Sequence, residues 1–207
     1  MHLLFALLFS SQVQAATMVT ETVGQVADYV TTSREVQIST AIERILFPGK
    51  GVPTSIEVLP DQAGFRTAVA SVLLETVVAT EAESFSVAKV NDRDVQEAVG
   101  KVEKAVAGKP YWSQLEVSPV ELKRFTTRKF VSKNFLKFKT SSMTGIITDH
   151  EAEAYYEKNR VKFGNMAFES FKENIKAFLA QQQLEERLRS WFEVIKRKYK
   201  VRNFISG

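Results

Sequence analysis

Thr148-Asp149-His150-Glu151-Ala152-Glu153-Ala154-Tyr155-Tyr156, then Phe163-Gly164-Asn165, then a run without Gly or Pro to Val201 and on to Gly207, is the stretch that decides the fold. Thr148 and Glu151 have the spacing of a capping box, in which the Thr hydroxyl takes the amide three residues on and the Glu reaches back. A short helix carrying Ala152, Tyr155 and Tyr156 follows and ends near Phe163-Gly164. Asn165 is a good N-cap residue, so a much longer helix is expected to start there. Its apolar members, Phe168, Phe171, Ile175, Phe178, Leu179, Leu184, Leu188, Trp191, Phe192, Ile195 and Tyr199, recur at helical spacing. About 34 residues at 1.5 Å each would make a rod of roughly 50 Å, long enough that it must either kink or project from the body. Val201 to Ile205 alternates and ends apolar, as an edge strand does, and its expected partner is an N-terminal hairpin near Val23–Val30.

Earlier in the chain, Thr22 to Ile38 reads as extended, with Thr32-Ser33-Arg34 as the hairpin turn. Ser39 or Thr40 would then cap a short helix through Ile42, Ile45 and Leu46, ended by Phe47-Pro48-Gly49. A second helix is expected over 61–85 from Phe65, Val69, Val72, Leu73, Thr76 and Val77, although its many Val and Thr residues leave a strand reading open. Val87–Val90 reads as a link. Asn91 or Asp92 starts a third helix with Val95, Val99, Val102 and Val106 on one stripe, stopped at Gly108-Lys109-Pro110. Tyr111–Leu115 reads as a loop or turn. Ser118-Pro119-Val120-Glu121 combines an N-cap Ser, Pro at the first helical position and Glu at the third. The helix that follows, 119–139, carries Lys123, Arg124, Arg128, Lys129, Lys133, Lys137 and Lys139 and no acid after Glu121. The fold class expected is mainly α, with a small N-terminal β-hairpin joined by a C-terminal strand and a long C-terminal helix.

Composition removes several kinds of chemistry. The chain of 207 residues has no cysteine, which excludes disulfides, thiol catalysis and thiolate metal sites. His2 and His150 are its only histidines, too few for a histidine metal cluster or a histidine-based triad. There is no phosphate-cradling Gly loop and no G-x-S-x-G elbow. Acid pairs such as Glu81/Glu83 and Glu151/Glu153 fall on different helix faces and read as solvated surface. Asp149-His150-Glu151 reads as acids favoured at a helix start rather than as metal ligands. No catalytic residue, metal or cofactor is expected, and the protein is read as not an enzyme.

Leu3-Leu4-Phe5-Ala6-Leu7-Leu8-Phe9 is an apolar run too short to span a bilayer, and Val13-Gln14-Ala15 puts small residues at the −3 and −1 positions. Residues 1–15 are therefore read as a signal peptide and 16–207 as one exported domain located in the periplasm. From Ala16 to Gly100 there are 12 acids and 6 bases, net −6; from Lys101 to Gly207 there are 12 acids and 22 bases, net +10. Such polarity steers charged partners. The basic helix 119–139 admits nucleic acid, but an export signal and the lack of an aromatic–Gly RNA motif weigh against it, so no nucleic acid is expected. Peripheral contact with anionic lipid stays open, as does oligomeric state.

The ordered set of elements resembles the chaperone domain of SurA-type periplasmic chaperones and the related PrsA-like foldases. The blocks that carry the likeness are Val26-Ala27-Asp28-Tyr29-Val30 with Val36-Gln37-Ile38-Ser39, and Leu73-Leu74-Glu75 through Glu83 with Val90-Asn91-Asp92-Arg93-Asp94-Val95. They continue with Ser118-Pro119-Val120-Glu121-Leu122, Ile147 through Tyr156, and Phe168-Glu169 through Trp191 and Val201. The resemblance covers nearly all of the expected mature chain. It implies a helical chaperone domain, and a holdase-type function that binds unfolded or nascent envelope and outer-membrane proteins. It also brings in a prolyl cis-trans isomerase-related foldase as an alternative, with an envelope assembly subunit holding one fixed partner as another. The family usually inserts one or two parvulin isomerase domains after the Tyr-Tyr helix, whereas Phe163-Gly164-Asn165 here leads straight into the last helix. Fifteen phenylalanines exceed what a small core needs, so part of them are expected to line a client groove between the body and the long helix. The residues read as lining it are Phe125, Phe130, Phe135, Phe138, Tyr155, Phe171, Phe178 and Trp191.

Overall fold

The computed structural model describes residues 20–49, 51, 55–85 and 89–205. The apolar run 3–9, the cleavage signal at 13–15 and parts of two loops (50, 52–54 and 86–88) lie outside them. The elements run β1 (Thr22–Val26), β2 (Tyr29–Thr32), α1 (Ser33–Leu46), α2 (Gly64–Phe85), α3 (Asp92–Val106), α4 (Pro110–Gln114), α5 (Pro119–Met143), α6 (Asp149–Lys158), α7 (Lys172–Lys198) and β3 (Arg202–Asn203). The fold is mainly helical with one small antiparallel sheet of order β2-β1-β3, so strands from the two ends of the chain share it.

The hairpin is tighter than the sequence suggests. Its turn is Ala27-Asp28, with Ala27 at φ +50°, and not Thr32-Ser33-Arg34. Thr32 is the N-cap of α1: its hydroxyl accepts from the Glu35 amide at 3.2 Å. Val36 and Ile38 therefore belong to the helix, and Ser39 is an interior helical residue instead of a cap. The alternation that looked like a strand is a helix buried on several sides, where Val36, Gln37, Ile38 and Ser39 are all inaccessible. Gly24 in β1 has a packing reason: a Cβ there would stand 2.8 Å from both Leu73 methyls and the Arg202 carbonyl.

The Val- and Thr-rich segment is a 22-residue helix, α2, and not a strand. Burial overrides its propensity, since Phe65, Val69, Val72, Leu73, Val77, Val78 and Ala82 all enter the core. Its hydroxyls bond back into the helix, Thr76 to the Val72 carbonyl at 2.8 Å and Thr80 to the Thr76 carbonyl at 2.9 Å. Pro110, read as part of a stop, opens α4 at its first position. The capping boxes at Ser118/Glu121 and Thr148/Glu151 are both formed.

α7 begins seven residues later than Asn165. Gly164 turns at φ +58°, the Tyr156 hydroxyl donates to the Met166 carbonyl, and Phe163, Phe168 and Phe171 gather around the two tyrosines. That aromatic packing holds 160–171 as two 3-10 turns, Arg160–Lys162 and Phe168–Ser170, with Phe171 as an N-cap that offers no side-chain bond. The 27 residues of α7 span about 40 Å, shorter than the 34-residue reading. Lys200, at φ +48°, turns the chain out of α7 into β3, and the Ala27 amide donates to the Tyr199 carbonyl at 2.6 Å.

Three apolar clusters result. One joins the sheet and α2 with Phe135 and Ile195. Another joins α1, α3, α4 and the start of α5 through Ile38, Ile42, Val102, Leu115 and Phe125. The smallest holds Ala152, Tyr156 and Ile175 between α6 and the first half of α7. Between the first two runs a buried ionic seam. Arg128 donates through Nε to Glu75 (2.9 Å) and through Nη1 to Glu35, while Lys129 reaches Glu75 and Glu43. The Ser39 hydroxyl also donates to Glu75, at 3.0 Å. Burial acts to raise the Glu75 carboxyl, but the Lys129 and Arg128 cations overcome it and hold the group below its ordinary value. Tyr29, whose hydroxyl donates to Glu35 at 2.7 Å, is pushed up to about 12 by burial and by that carboxylate. At the N-terminal end of α1, beside Glu35, Arg34 clamps the α4–α5 corner: Nε donates to the Leu115 carbonyl, Nη1 to Glu121 (both 2.7 Å) and Nη2 to the Glu116 carbonyl (3.0 Å).

Removing one member of the seam leaves the others charged and dry. Arg128→Ala is expected to cost ~3–5 kcal/mol in urea unfolding, whereas Lys123→Ala, which breaks only the exposed pair with Asp92, stays within ~1 kcal/mol. Acid gives a second check. The Arg34 guanidinium holds Glu121 down to about 2; burial works the other way, and the Ser118 amide and hydroxyl reinforce Arg34. The folded value lies below the roughly 4.3 of an unfolded Glu, so this contact stabilises the fold above that pH and is lost as pH falls towards 2. The thermal midpoint of Glu121→Gln should accordingly fall less between pH ~5 and 2 than that of the parent chain.

Candidate functional site

The apolar stripe of α7 is wider than one partner can cover, and it meets different neighbours along its length. Its first half packs on α6 through Phe171, Ile175 and Leu179. In the second half Trp191 and Ile195 face the body. Leu188 and Phe192 line a gap towards the first half of α2, and Phe192 also packs on the edge of that core. The gap is an open groove of about 740 Å³. Leu73, Leu74 and Val77 of α2 form one wall, Leu188 and Phe192 of α7 the other, and Val201 and Asn203 lie along the β3 side. Leu74, Leu188 and Phe192 are half-buried, so their side chains remain accessible. Charge is confined to the α7 rim, where Glu185, Arg189, Glu193 and Lys196 alternate in sign. Glu193 accepts from Lys196 at 2.9 Å, and that bond, with the Lys196 charge, holds its carboxyl below the ordinary value.

The eight aromatic residues read as one groove are divided among separate clusters, and none of them lines this gap. Phe125 is a core residue at 2 % exposure, under the guanidinium groups of Arg124 and Arg128. Phe130 packs on Phe47 with ring centroids 5.8 Å apart. Phe135 is 1 % exposed and forms the centre of a group with Phe85, Phe138 and Trp191, at centroid distances of 5.6, 6.0 and 6.1 Å. Tyr155 meets Phe178 at 5.5 Å, and Phe171 meets Phe163 at 5.1 Å, both in the α6–α7 lobe. Of the eight, only Phe138 and Phe178 are exposed. The structure gathers the eight into no single lining, because an aromatic ring is the cheapest way to fill a large hole, so rings mark cores as readily as surfaces. The apolar part of this lining is aliphatic, apart from Phe192. Its signal was present in α2, where Leu73, Leu74 and Val77 with Ala70 cover more of the helix surface than one neighbour buries.

Comparison with protein-family models, curated proteins and solved structures gives no match to this chain. The likeness to SurA-type chaperones therefore rests on the sequence blocks alone. Among the described residues no group of His, Asp or Glu side chains is placed to hold a metal ion, and no helix is long and apolar enough to cross a membrane.

The division of the aromatics can be checked by stability. Phe135→Ala should cost ~3–5 kcal/mol in urea unfolding, and Phe178→Ser, at the lobe surface, less than about 1 kcal/mol.

Proposed function

We propose that the protein is a holdase-type chaperone of the SurA kind, exported to the periplasm, and that it shelters apolar segments of unfolded or nascent envelope proteins. The observation that carries this reading is the open aliphatic groove between α2 and α7. Its volume falls within the roughly 300–1,000 Å³ of ordinary binding sites. Two of its uncharged polar side chains are already engaged by backbone, Ser71 donating to the Thr67 carbonyl and Asn203 accepting from the Ile205 amide, and its charged groups stand on the α7 rim. The rim holds two acids and two bases, which favours no particular client charge. Such a trough suits an extended chain segment whose only common property is greasy side chains. Each leucine-sized side chain seated there contributes ~1.5–3 kcal/mol. Ordering of the client offsets much of that gain, so binding is weak and reversible.

The test is light scattering from an unfolded outer-membrane protein diluted out of denaturant. The parent chain is expected to suppress aggregation at equimolar ratio, and Leu188→Glu with Phe192→Glu to abolish the effect while retaining a cooperative thermal transition. Unchanged aggregation with the parent chain would sink the proposal. A proline-peptide isomerisation rate above background would point to the foldase alternative. Co-purification with one stoichiometric partner, without general protection, would point to the assembly subunit.

A further inference from the structure

Most of the positive charge on α5 is engaged inside the fold. Lys123 pairs with Asp92, Arg128 and Lys129 belong to the buried seam, Lys133 holds Glu43, and Lys139 lies over the rings of Phe85 and Trp191. The basic residues at the other end of the molecule differ. In Lys196-Arg197-Lys198-Tyr199-Lys200-Val201-Arg202, Lys196 is held by Glu193 and Lys198 by Glu81. Arg197, Lys200 and Arg202 are exposed and, among the described residues, form no ion pair or side-chain hydrogen bond, although the Arg197 charge also acts on Glu193. Attraction to the C-terminal end of a helix dipole accounts for cations in the last turn of α7. It does not account for Lys200 and Arg202, which lie beyond the helix.

Apolar side chains stand beside Arg202. Gln25 pairs with Val30 on one side and Arg202 on the other, so Val30, Gln25 and Arg202 form one cross-strand row on a single face of the sheet. Phe204 is two residues beyond Arg202 on the same strand direction, and its amide continues the ladder to the Val23 carbonyl at 3.0 Å. Val30 is 46 % and Phe204 50 % exposed. Unpaired cations flanked by an exposed aromatic and an aliphatic side chain are the makings of an interfacial contact.

We propose that the turn after α7 and the outer face of the sheet, through Arg197, Lys200, Arg202, Val30 and Phe204, dock the protein on an anionic membrane surface. The cations meet lipid phosphates, while Phe204 and Val30 enter the headgroup boundary. A polynucleotide fits less well, because it would leave both apolar side chains in water and the patch offers no channel to follow a phosphate chain. Each basic residue near an anionic surface is worth about fivefold in partition. Three of them give binding that is reversible and falls with salt. The surface uses none of the groove-lining residues and stands whether or not the chaperone reading does.

The experiment is co-sedimentation of the full chain with vesicles of phosphatidylcholine alone and with vesicles that also contain phosphatidylglycerol. Binding to the anionic vesicles is expected to exceed binding to neutral ones, and the excess to disappear at high salt. Joint substitution Arg197→Gln, Lys200→Gln and Arg202→Gln should lower the excess about 100-fold. Phe204→Ser should weaken binding to anionic vesicles that persists at intermediate salt. Lys101→Gln with Lys104→Gln on α3 removes the same kind of charge elsewhere and should change nothing. The proposal is overturned if there is no anionic excess, or if the triple substitution behaves like the α3 control. It is also overturned if duplex nucleic acid at equal phosphate concentration binds the parent chain more tightly than the vesicles do.

Discussion

Everything else in the body is arranged around a seam of charge between two apolar cores. Along α5, Phe125 belongs to one core and Phe135 to the other, and Arg128 and Lys129 stand between them. Their partners come from α1 and α2: Glu35, Glu43 and Glu75. Apolar contact is non-directional and by itself fixes the relative position of three helices only through the fit of their side chains. A buried carboxylate shared by a guanidinium and an ammonium admits very few relative positions. The seam thus sets the register in which α1, α2 and α5 pack, and the sheet, the corner at Arg34 and the second half of α7 are placed on that frame.

The same arrangement explains why charge is a poor guide to partners here. A helix with seven bases and one acid looks like a surface for polyanions. Folded, it is the positive half of an internal lattice whose negative half lies in an earlier, acidic part of the chain. Five acids of the first half (Glu35, Glu43, Glu75, Glu81 and Asp92) meet five bases of the second (Lys123, Arg128, Lys129, Lys133 and Lys198), so part of the opposite net charge of the two halves is an intramolecular complement. Arg197, Lys200 and Arg202 are among the bases that stay outward-facing, at a place that composition does not single out.

Much of the architecture was legible from local chemistry. Ser118-Pro119-Val120-Glu121, Thr148 with Glu151, and Asn91 start helices as their side chains dictate, because a capping hydrogen bond is made by residues adjacent in sequence. The pairing of the terminal strand with the hairpin was legible from its alternation. Readings failed where distant packing outweighs local preference. Val36 and Ile38 alternate like a strand yet lie in a helix that is buried on several faces. Asn165 is a good cap, but Tyr156 draws the Met166 carbonyl and three phenylalanines into a turn before α7 can begin. The groove was hidden for a similar reason: neither Leu74 nor Phe192 shows in sequence whether its neighbour lies in contact or a few ångströms away.

β1 sits at the middle of the sheet, with an early strand on one edge and the latest one on the other. Closing that second edge pairs Gly24 with Asn203, a contact between segments far apart in sequence whose loop-closure entropy the packing of α7 must offset. While the chain is still emerging, β1 has one bare edge, and the groove has neither its α7 wall nor its β3 border. The cleft exists only once α7 and β3 have docked on α2, so a chain folded as far as α6 has no such groove to offer.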